Sequence, residues 1–195
     1  MPMPPPARRI ALALAAAVIL TGAPAPAAER PPPVTAPAVA DHSHDFDFEF
    51  GDWRAHIARR LRPLTGSTDW VEYDGDSIVR PVWSGKANLG ELNVEGPAGR
   101  IQGLSLRTYD PATGQWSIRW ANAADGDLGQ PMIGAFSNGR GLFYDRETLA
   151  GRAILVRFIF SDVGAKSFHL EQAFSADGGV TWEVNWIADF ERRTV

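Results

Sequence analysis

The sequence predicts an all-β fold, an antiparallel up-and-down meander of roughly eight to ten strands closed into a barrel. Three observations carry that expectation. From about residue 46 onward apolar residues alternate singly with polar ones, the period of a half-buried strand, and no run of that region keeps helical spacing. Glycine-bearing turns recur at short intervals, and eighteen of the nineteen glycines fall after residue 50. Strands joined by short turns pair with their sequence neighbours. So many in one open layer would leave two unpaired edges, which closure removes.

The elements follow in chain order. Arg8 and Arg9 precede an apolar run of eleven residues, Ile10 to Leu20, and Ala25-Pro26-Ala27 then gives a small-x-small cleavage pattern. Residues 1–27 therefore read as a signal peptide cut before Ala28, by the general export route or, given the paired arginines, the twin-arginine one. The run is shorter than the ~20 residues of a membrane-spanning helix, so no transmembrane segment is expected. Residues 28–45 read as a Pro/Ala-rich and acidic-His tether, since ten of the fifteen prolines lie in the first 40 residues and all seven tryptophans lie between Trp53 and Trp186. Residues 46–195 are one domain. Its strands are expected at 52–62, 68–73, 77–84, 101–109, 115–122, 131–137, 140–145, 152–161, 166–175 and 180–192. Asp110-Pro-Ala-Thr-Gly114, Asn138-Gly139 and Asp177-Gly178 supply turn chemistry between them.

Composition bounds the function. The chain has no cysteine, which excludes a disulfide framework, a thiolate metal site and a cysteine nucleophile together. Its formal net charge is −4 and no basic run is present, so it lacks the electrostatic footprint of a nucleic-acid binder. No Gly-x-Ser-x-Gly elbow, phosphate-binding loop or dinucleotide fingerprint occurs.

The last hairpin allows its faces to be assigned. Phe168, Leu170 and Phe174 share one face, and Trp182, Val184, Trp186 and Phe190 share one face of the next strand. If these faces meet, Phe174 opposes Trp182 and Glu171 opposes Asn185. By the same rule Trp116, Ile118 and Trp120, and Val156, Phe158 and Phe160, face the barrel interior. Ser175 to Trp182 fits S-x-D-x-G-x-T-W, a hairpin repeated in sialidases and other propellers. One copy cannot build a propeller, so Asp177 is expected to cap its own turn with Trp182 packed beneath it.

Gly51-Asp52-Trp53 is similar to the G-x-W signature of calycins. With Tyr109-Asp-Pro-Ala-Thr-Gly-Gln-Trp116 and the last hairpin, the chain resembles a bacterial family of calycin-like (lipocalin-like) β-barrels of unknown function from about Phe46 to Arg193. The resemblance implies that Trp53 closes one barrel end beneath Arg192 or Arg193, and that the interior holds a cavity for a small molecule. It implies no catalytic residues. A C-terminal helix, found in larger lipocalins, is absent from the pattern.

The candidate chemistry is sparse. His42 and His44, with acids on both sides, could bind copper or zinc, but an exposed acidic linker explains them with fewer assumptions. His56 and His169 read as ordinary polar-face residues, and neither a metal nor a haem or other cofactor is expected. Glu171, Glu183 and Asp189 share one face of the last hairpin. They read as cross-strand charge pairing or, in the alternative, as acid and base of an enzyme acting on a hydrophobic small molecule. Arg80, between Ile78 and Val82, and Gln172, between Leu170 and Phe174, fall on faces assigned inward. A buried amide or guanidinium needs a partner or a wet cavity.

The expectation is therefore an exported protein, periplasmic or secreted, monomeric or homodimeric, whose barrel binds a small hydrophobic ligand. Arg80, Trp120, Phe158, Gln172 and Trp186 form the candidate site. Arg107, Arg157, Glu183 and Asn185 form the alternative set if the faces are inverted. A structural or interaction domain with a filled core is the remaining alternative.

Overall fold

The computed structural model describes residues 41–194. The expected signal peptide and all of the tether before Asp41 lie outside the described residues. Ten strands close into an antiparallel barrel: β1 (Gly51–Arg60), β2 (Trp70–Val82), β3 (Ala87–Gly96), β4 (Gly99–Asp110), β5 (Gln115–Asn122), β6 (Met132–Ser137), β7 (Arg140–Leu149), β8 (Arg152–Ser161), β9 (Ser167–Ser175) and β10 (Glu183–Arg192). Each strand pairs with its sequence neighbour, and β1 pairs with β10 to complete the ring. The only helical pieces among the described residues are two 3-10 turns, Asp47–Glu49 and Trp83–Gly85.

One end of the barrel is shut by the segment before β1. Phe46 is fully buried and meets Trp116, Phe136 and Phe160 edge-on at ring-centroid distances of 5.0, 5.0 and 5.4 Å. Phe48 and Trp53 contact Phe168, which stacks on Phe190 at 4.3 Å. Edge-to-face rings of this kind gain about 1 kcal/mol each beyond the area they bury. Residues 41–45 belong to this plug rather than to a tether. The Trp116 Nε1–H donates to the His42 carbonyl at 2.9 Å, the His42 N–H donates to the Tyr109 hydroxyl at 3.1 Å, and Ser43 is buried.

Arg192 locks the plug to the barrel. Its guanidinium lies 4.1 Å over the Trp53 ring and donates to the carbonyls of Phe48, Phe50 and Ala165, each at 2.7 Å. Trp53 Nε1–H donates in turn to the Glu49 carbonyl at 2.6 Å. Of the two arginines expected above Trp53, Arg192 takes the place. Arg193 pairs instead with Asp76.

The strand pattern differs from expectation in one region. Segments 68–73 and 77–84 are a single strand, and β3, which was not expected, follows it. Asp74-Gly75-Asp76 has the composition of a turn. Gly75 stays in the strand because a side chain there would overlap the backbone of Asn93 and Val94 on β3. In β3 itself Asn88, Gly90, Leu92 and Val94 are the buried alternating residues, with Ala87 buried at its start, so an asparagine and a glycine break the apolar alternation.

A β-bulge at Asn185 also changes the last hairpin. Phe174 opposes Glu183, not Trp182, and Glu171 opposes Ile187, not Asn185. Past the bulge Trp186, Ala188 and Phe190 pair with Gln172, Leu170 and Phe168 and face inward, whereas Val184 pairs with Ala173 on the outer face. Trp182 precedes the strand and packs outside the barrel, 4.3 Å beneath the Arg157 guanidinium and 6.1 Å from Tyr144. The turn itself is as expected. Asp177 accepts from Ser175 Oγ at 2.7 Å and from the Thr181 N–H at 2.9 Å, and the Trp182 indole donates to the Gly179 carbonyl at 3.0 Å. Hydrogen bonds from Thr181, then Ser175, hold the Asp177 carboxyl well below the usual carboxylate range.

Candidate functional site

The half of the barrel away from the plug is hollow. A cavity of about 380 Å³ runs between the inner faces of β1 to β5 and those of β8 to β10, within the size of ordinary small-molecule sites of about 300–1,000 Å³. It is open to solvent at its end, where Arg59, Trp120 and Glu147 line it and are exposed.

Why the space exists follows from the inward residues of β2 to β4. Ser77, Gly90, Gly103 and Ser105 all point inward and are small. A Cβ on Gly90 would stand 2.6 Å from Ser105 Oγ, so the glycine admits that hydroxyl to the wall. A Cβ on Gly103 would overlap the Trp120 ring, so this glycine lets the indole lie against β4 at the mouth. Opposite, Phe158, Leu170, Trp186 and Phe190 form a wall of large apolar groups.

The floor is an ion pair. Glu49, on the plug, is 1% exposed and its Oε2 lies 2.5 Å from Arg107 Nη1, which also donates to Asn88 Oδ1 at 3.0 Å. Arg107 is 8% exposed and its guanidinium sits 4.8 Å over the Phe46 ring. Burial pushes the Glu49 carboxyl above its ordinary pKa, and the neighbouring Arg107 pulls it back. Both charges are thus buried and mutually neutralised, the arrangement that makes such a pair costly to break. Three atoms of this cluster, Glu49 Oε1, Asn88 Nδ2 and Arg107 Nε, are buried without a partner among the described residues.

Two further polar groups meet the cavity. Gln172 Nε2 donates to Asn185 Oδ1 at 2.6 Å, which turns a 3% exposed asparagine into the anchor of a cavity-lining amide. Glu147, on the inner face of β7, stands at the mouth. The surrounding walls exclude enough water to raise its pKa, and Asp145 adds repulsion, although the side chain remains exposed through the opening. The barrel wall is thin here. β5 and β6 pair over only three residue positions, and the rest of β5 is bridged by the loop, with Gly129 N–H donating to the Trp120 carbonyl at 2.9 Å. A wide open depression of about 900 Å³ adjoins the mouth and shares Gly129, Gln130 and Glu147 with it.

The candidate residues therefore separate. Trp120, Phe158, Gln172 and Trp186 line the cavity together. Arg80 does not, because β2 pairs Trp53 with Ser77 and thereby turns Ser77 and Val79 inward and Arg80 out to solvent. Arg107, expected on a polar outer face, is inside. Arg157 is outside over Trp182, and Asn185 supports Gln172 from the bulge. Glu183 does not share a face with Glu171. It accepts from the Leu64 N–H at 2.7 Å and pairs with Arg60 at 3.5 Å, which holds the β1–β2 loop. Glu171 and Asp189 flank His169 on the outer surface at 3.7 and 2.7 Å, so the expected acid pair does not converge on the cavity. His42 and His44 pair with Asp45 and Asp47, and among the described residues no three His, Cys, Asp or Glu side chains are grouped to hold a metal ion. Nor is any described helix long and apolar enough to cross a membrane.

Sequence reasoning missed Ser77, Gly90, Gly103, Ser105 and Glu49. None carries a motif. The available signal was a run of small or polar residues, every second position on neighbouring strands, where an ordinary core would place large apolar ones.

No protein-family model matches the sequence, and no curated protein does so either. Several solved structures share the fold, two of which illustrate it. The S-type phycobiliprotein lyase CPES from Guillardia theta superposes with a TM-score of 0.56 at 9% identity, over 80% of this chain and 94% of the lyase chain. Rv2717c from M. tuberculosis superposes with a TM-score of 0.54 at 11% identity, over 82% of this chain and 99% of its own. Both are calycin-like barrels, so the chain is similar to calycin-like structures in fold. Identities this low carry the fold alone.

Proposed function

We propose that this protein is an exported β-barrel that binds a small apolar or amphiphilic molecule in the hollow half of its interior. The observation that carries the reading is the cavity of about 380 Å³ in which the apolar walls Trp120, Phe158 and Trp186 face the polar groups Ser77, Ser105, Arg107 and Gln172. Apolar ligand surface leaving water gains roughly 25 cal/mol per Å² buried, and the few fixed polar groups orient the molecule rather than supply most of its affinity. The Arg8-Arg9 start, the apolar run to Leu20 and Ala25-Pro26-Ala27 support export to the periplasm or beyond. Glu171, Glu183 and Asp189, the acids of the alternative enzyme reading, do not line the cavity.

Native mass spectrometry of protein purified from the periplasm of the cells that produce it tests both parts. The expected spectrum is a chain beginning at Ala28, as monomer or homodimer, carrying one small molecule per chain that solvent extraction removes. A chain still carrying residues 1–27 contradicts export. A bare protein that also fails to take up N-phenyl-1-naphthylamine saturably contradicts binding.

A further inference from the structure

We infer that the cavity floor selects ligands that bury an uncharged hydrogen-bond acceptor, a ketone, ester or amide carbonyl, rather than a carboxylate or a purely hydrocarbon end. This inference rests on the binding function proposed above and adds the chemistry of the group that goes in first.

The floor presents donors. Nη1 of Arg107 is occupied by Glu49 and Asn88 and Nε is sealed from the cavity, whereas Nη2 makes no hydrogen bond among the described residues. Nη2 is therefore the unused donor of the guanidinium, on a side chain that lines the cavity and is 8% exposed. Ser105, two residues before Arg107 on the same inner face, and Ser77 on β2 add hydroxyls that make no hydrogen bond among the described residues. A buried donor left unmade costs more than a made bond returns. A ligand that supplies an acceptor removes that cost, and a hydrocarbon end leaves it in place.

Charge decides between acceptors. Glu49 already neutralises Arg107 inside a fully buried pair. A ligand carboxylate would place a second negative charge beside one cation in a largely buried site. It would give up its own hydration and meet the repulsion of Glu49, and the attraction to Arg107 would be largely spent on cancelling that repulsion. A neutral carbonyl loses little hydration and still accepts from a charged donor, which makes a stronger bond than a neutral one. An anionic group on the same ligand fits the other end of the cavity, where Arg59 is exposed and makes no ion pair among the described residues.

Three molecules of nearly one shape separate these cases: 2-acetylnaphthalene, 2-naphthoate and 2-ethylnaphthalene, titrated against tryptophan fluorescence at pH 7.5. The expected result is binding of the ketone about tenfold tighter than either of the others, the size of one hydrogen bond to a charged donor. In Arg107→Met/Glu49→Gln, which removes the pair together and leaves no unpaired charge, the ketone and the hydrocarbon should bind equally. Should that variant not fold, the carbonyl stretch of 13C-labelled 2-acetylnaphthalene on the unaltered protein gives the same answer, by moving to lower wavenumber than in hydrocarbon solvent. Naphthoate binding as tightly as the ketone, a preference that survives the double variant, or an unshifted carbonyl stretch overturns the head-group assignment while leaving the binding function standing. Binding of none of the three overturns both.

Discussion

The two ends of the barrel interior are made from the same ten strands with the same inward–outward alternation, yet one is packed solid and the other is hollow. At the closed end most inward positions hold large side chains, the small Ala55 and Ala188 lying between them, and the 41–50 segment adds Phe46 and Phe48 from outside the sheet. At the open end the inward positions of β2 to β4 hold Ser77, Gly90, Gly103 and Ser105, and among the described residues no segment fills what they leave. Alternation thus sets which side chains face in, and side-chain volume decides whether the inside is a core or a site. Arg107 and Glu49 mark the boundary, since one comes from the wall and the other from the plug.

The largest expected difference is in what truncation costs at each end. Phe46→Ala should lower unfolding stability by about 3–5 kcal/mol, the usual cost of removing a fully packed aromatic ring. Trp186→Ala, beside an existing void and only half-buried, should lower it by about 2 kcal/mol or less. Urea unfolding of the two variants measures this, and equal losses would show that the open half is packed like the closed one.

The boundary pair comes next. Arg107→Met should cost about 3 kcal/mol at pH 7.5, because Glu49 is then buried without its partner. Burial already raises the Glu49 pKa and Arg107 opposes that rise, so removing the arginine raises it further. A carboxyl whose folded pKa is raised contributes fully below its unfolded value of about 4.3 and loses stability as pH rises through the folded value. Unfolding curves should therefore show the deficit of Arg107→Met nearly absent at pH 4 and growing toward neutral pH. A deficit independent of pH would mean that packing, not charge, holds this boundary.

A smaller effect is expected at the closed end from Arg192→Lys. The ammonium keeps the charge but cannot reach the three carbonyls of Phe48, Phe50 and Ala165 from one plane over Trp53. A loss of about 1–2 kcal/mol should accompany faster hydrogen exchange in residues 41–50, with ligand uptake unchanged. The smallest effect belongs to the mouth. Gly103→Ala should tilt the Trp120 indole off β4 and weaken uptake of N-phenyl-1-naphthylamine a few-fold, roughly 1 kcal/mol, with little change in the urea midpoint.

The same contrast explains what could be read from the sequence. The closed end was legible because its inward residues are large and apolar: Trp53, Trp116, Phe160 and Phe168 follow the alternation without exception. Phe158, Gln172 and Trp186 were legible for the same reason, since they sit on strands whose other inward residues are apolar. The open wall misleads a hydrophobic-inside reading. On β2 to β4 the apolar residues Ile78, Leu89, Leu104 and Leu106 face outward, and the small or polar set faces in. A hydrophobic-inside reading therefore puts Arg80 inside and Arg107 outside, each the reverse of the structure. The β-bulge at Asn185 has no local signature of comparable strength, so Trp182 and Val184 were carried inward along with Trp186.

The most direct test fills the open half and leaves the closed one alone. Ser77→Leu/Ser105→Leu adds apolar volume against Ile101, Phe158 and Leu170 without touching the plug. N-phenyl-1-naphthylamine, titrated against tryptophan fluorescence, should bind the unaltered protein saturably at one molecule per chain. It should bind the filled variant at least about tenfold more weakly, while the urea midpoint of that variant stays level or rises. Equal binding by the two proteins, or no saturable binding by the unaltered one, would contradict the claim that the hollow half is a ligand site.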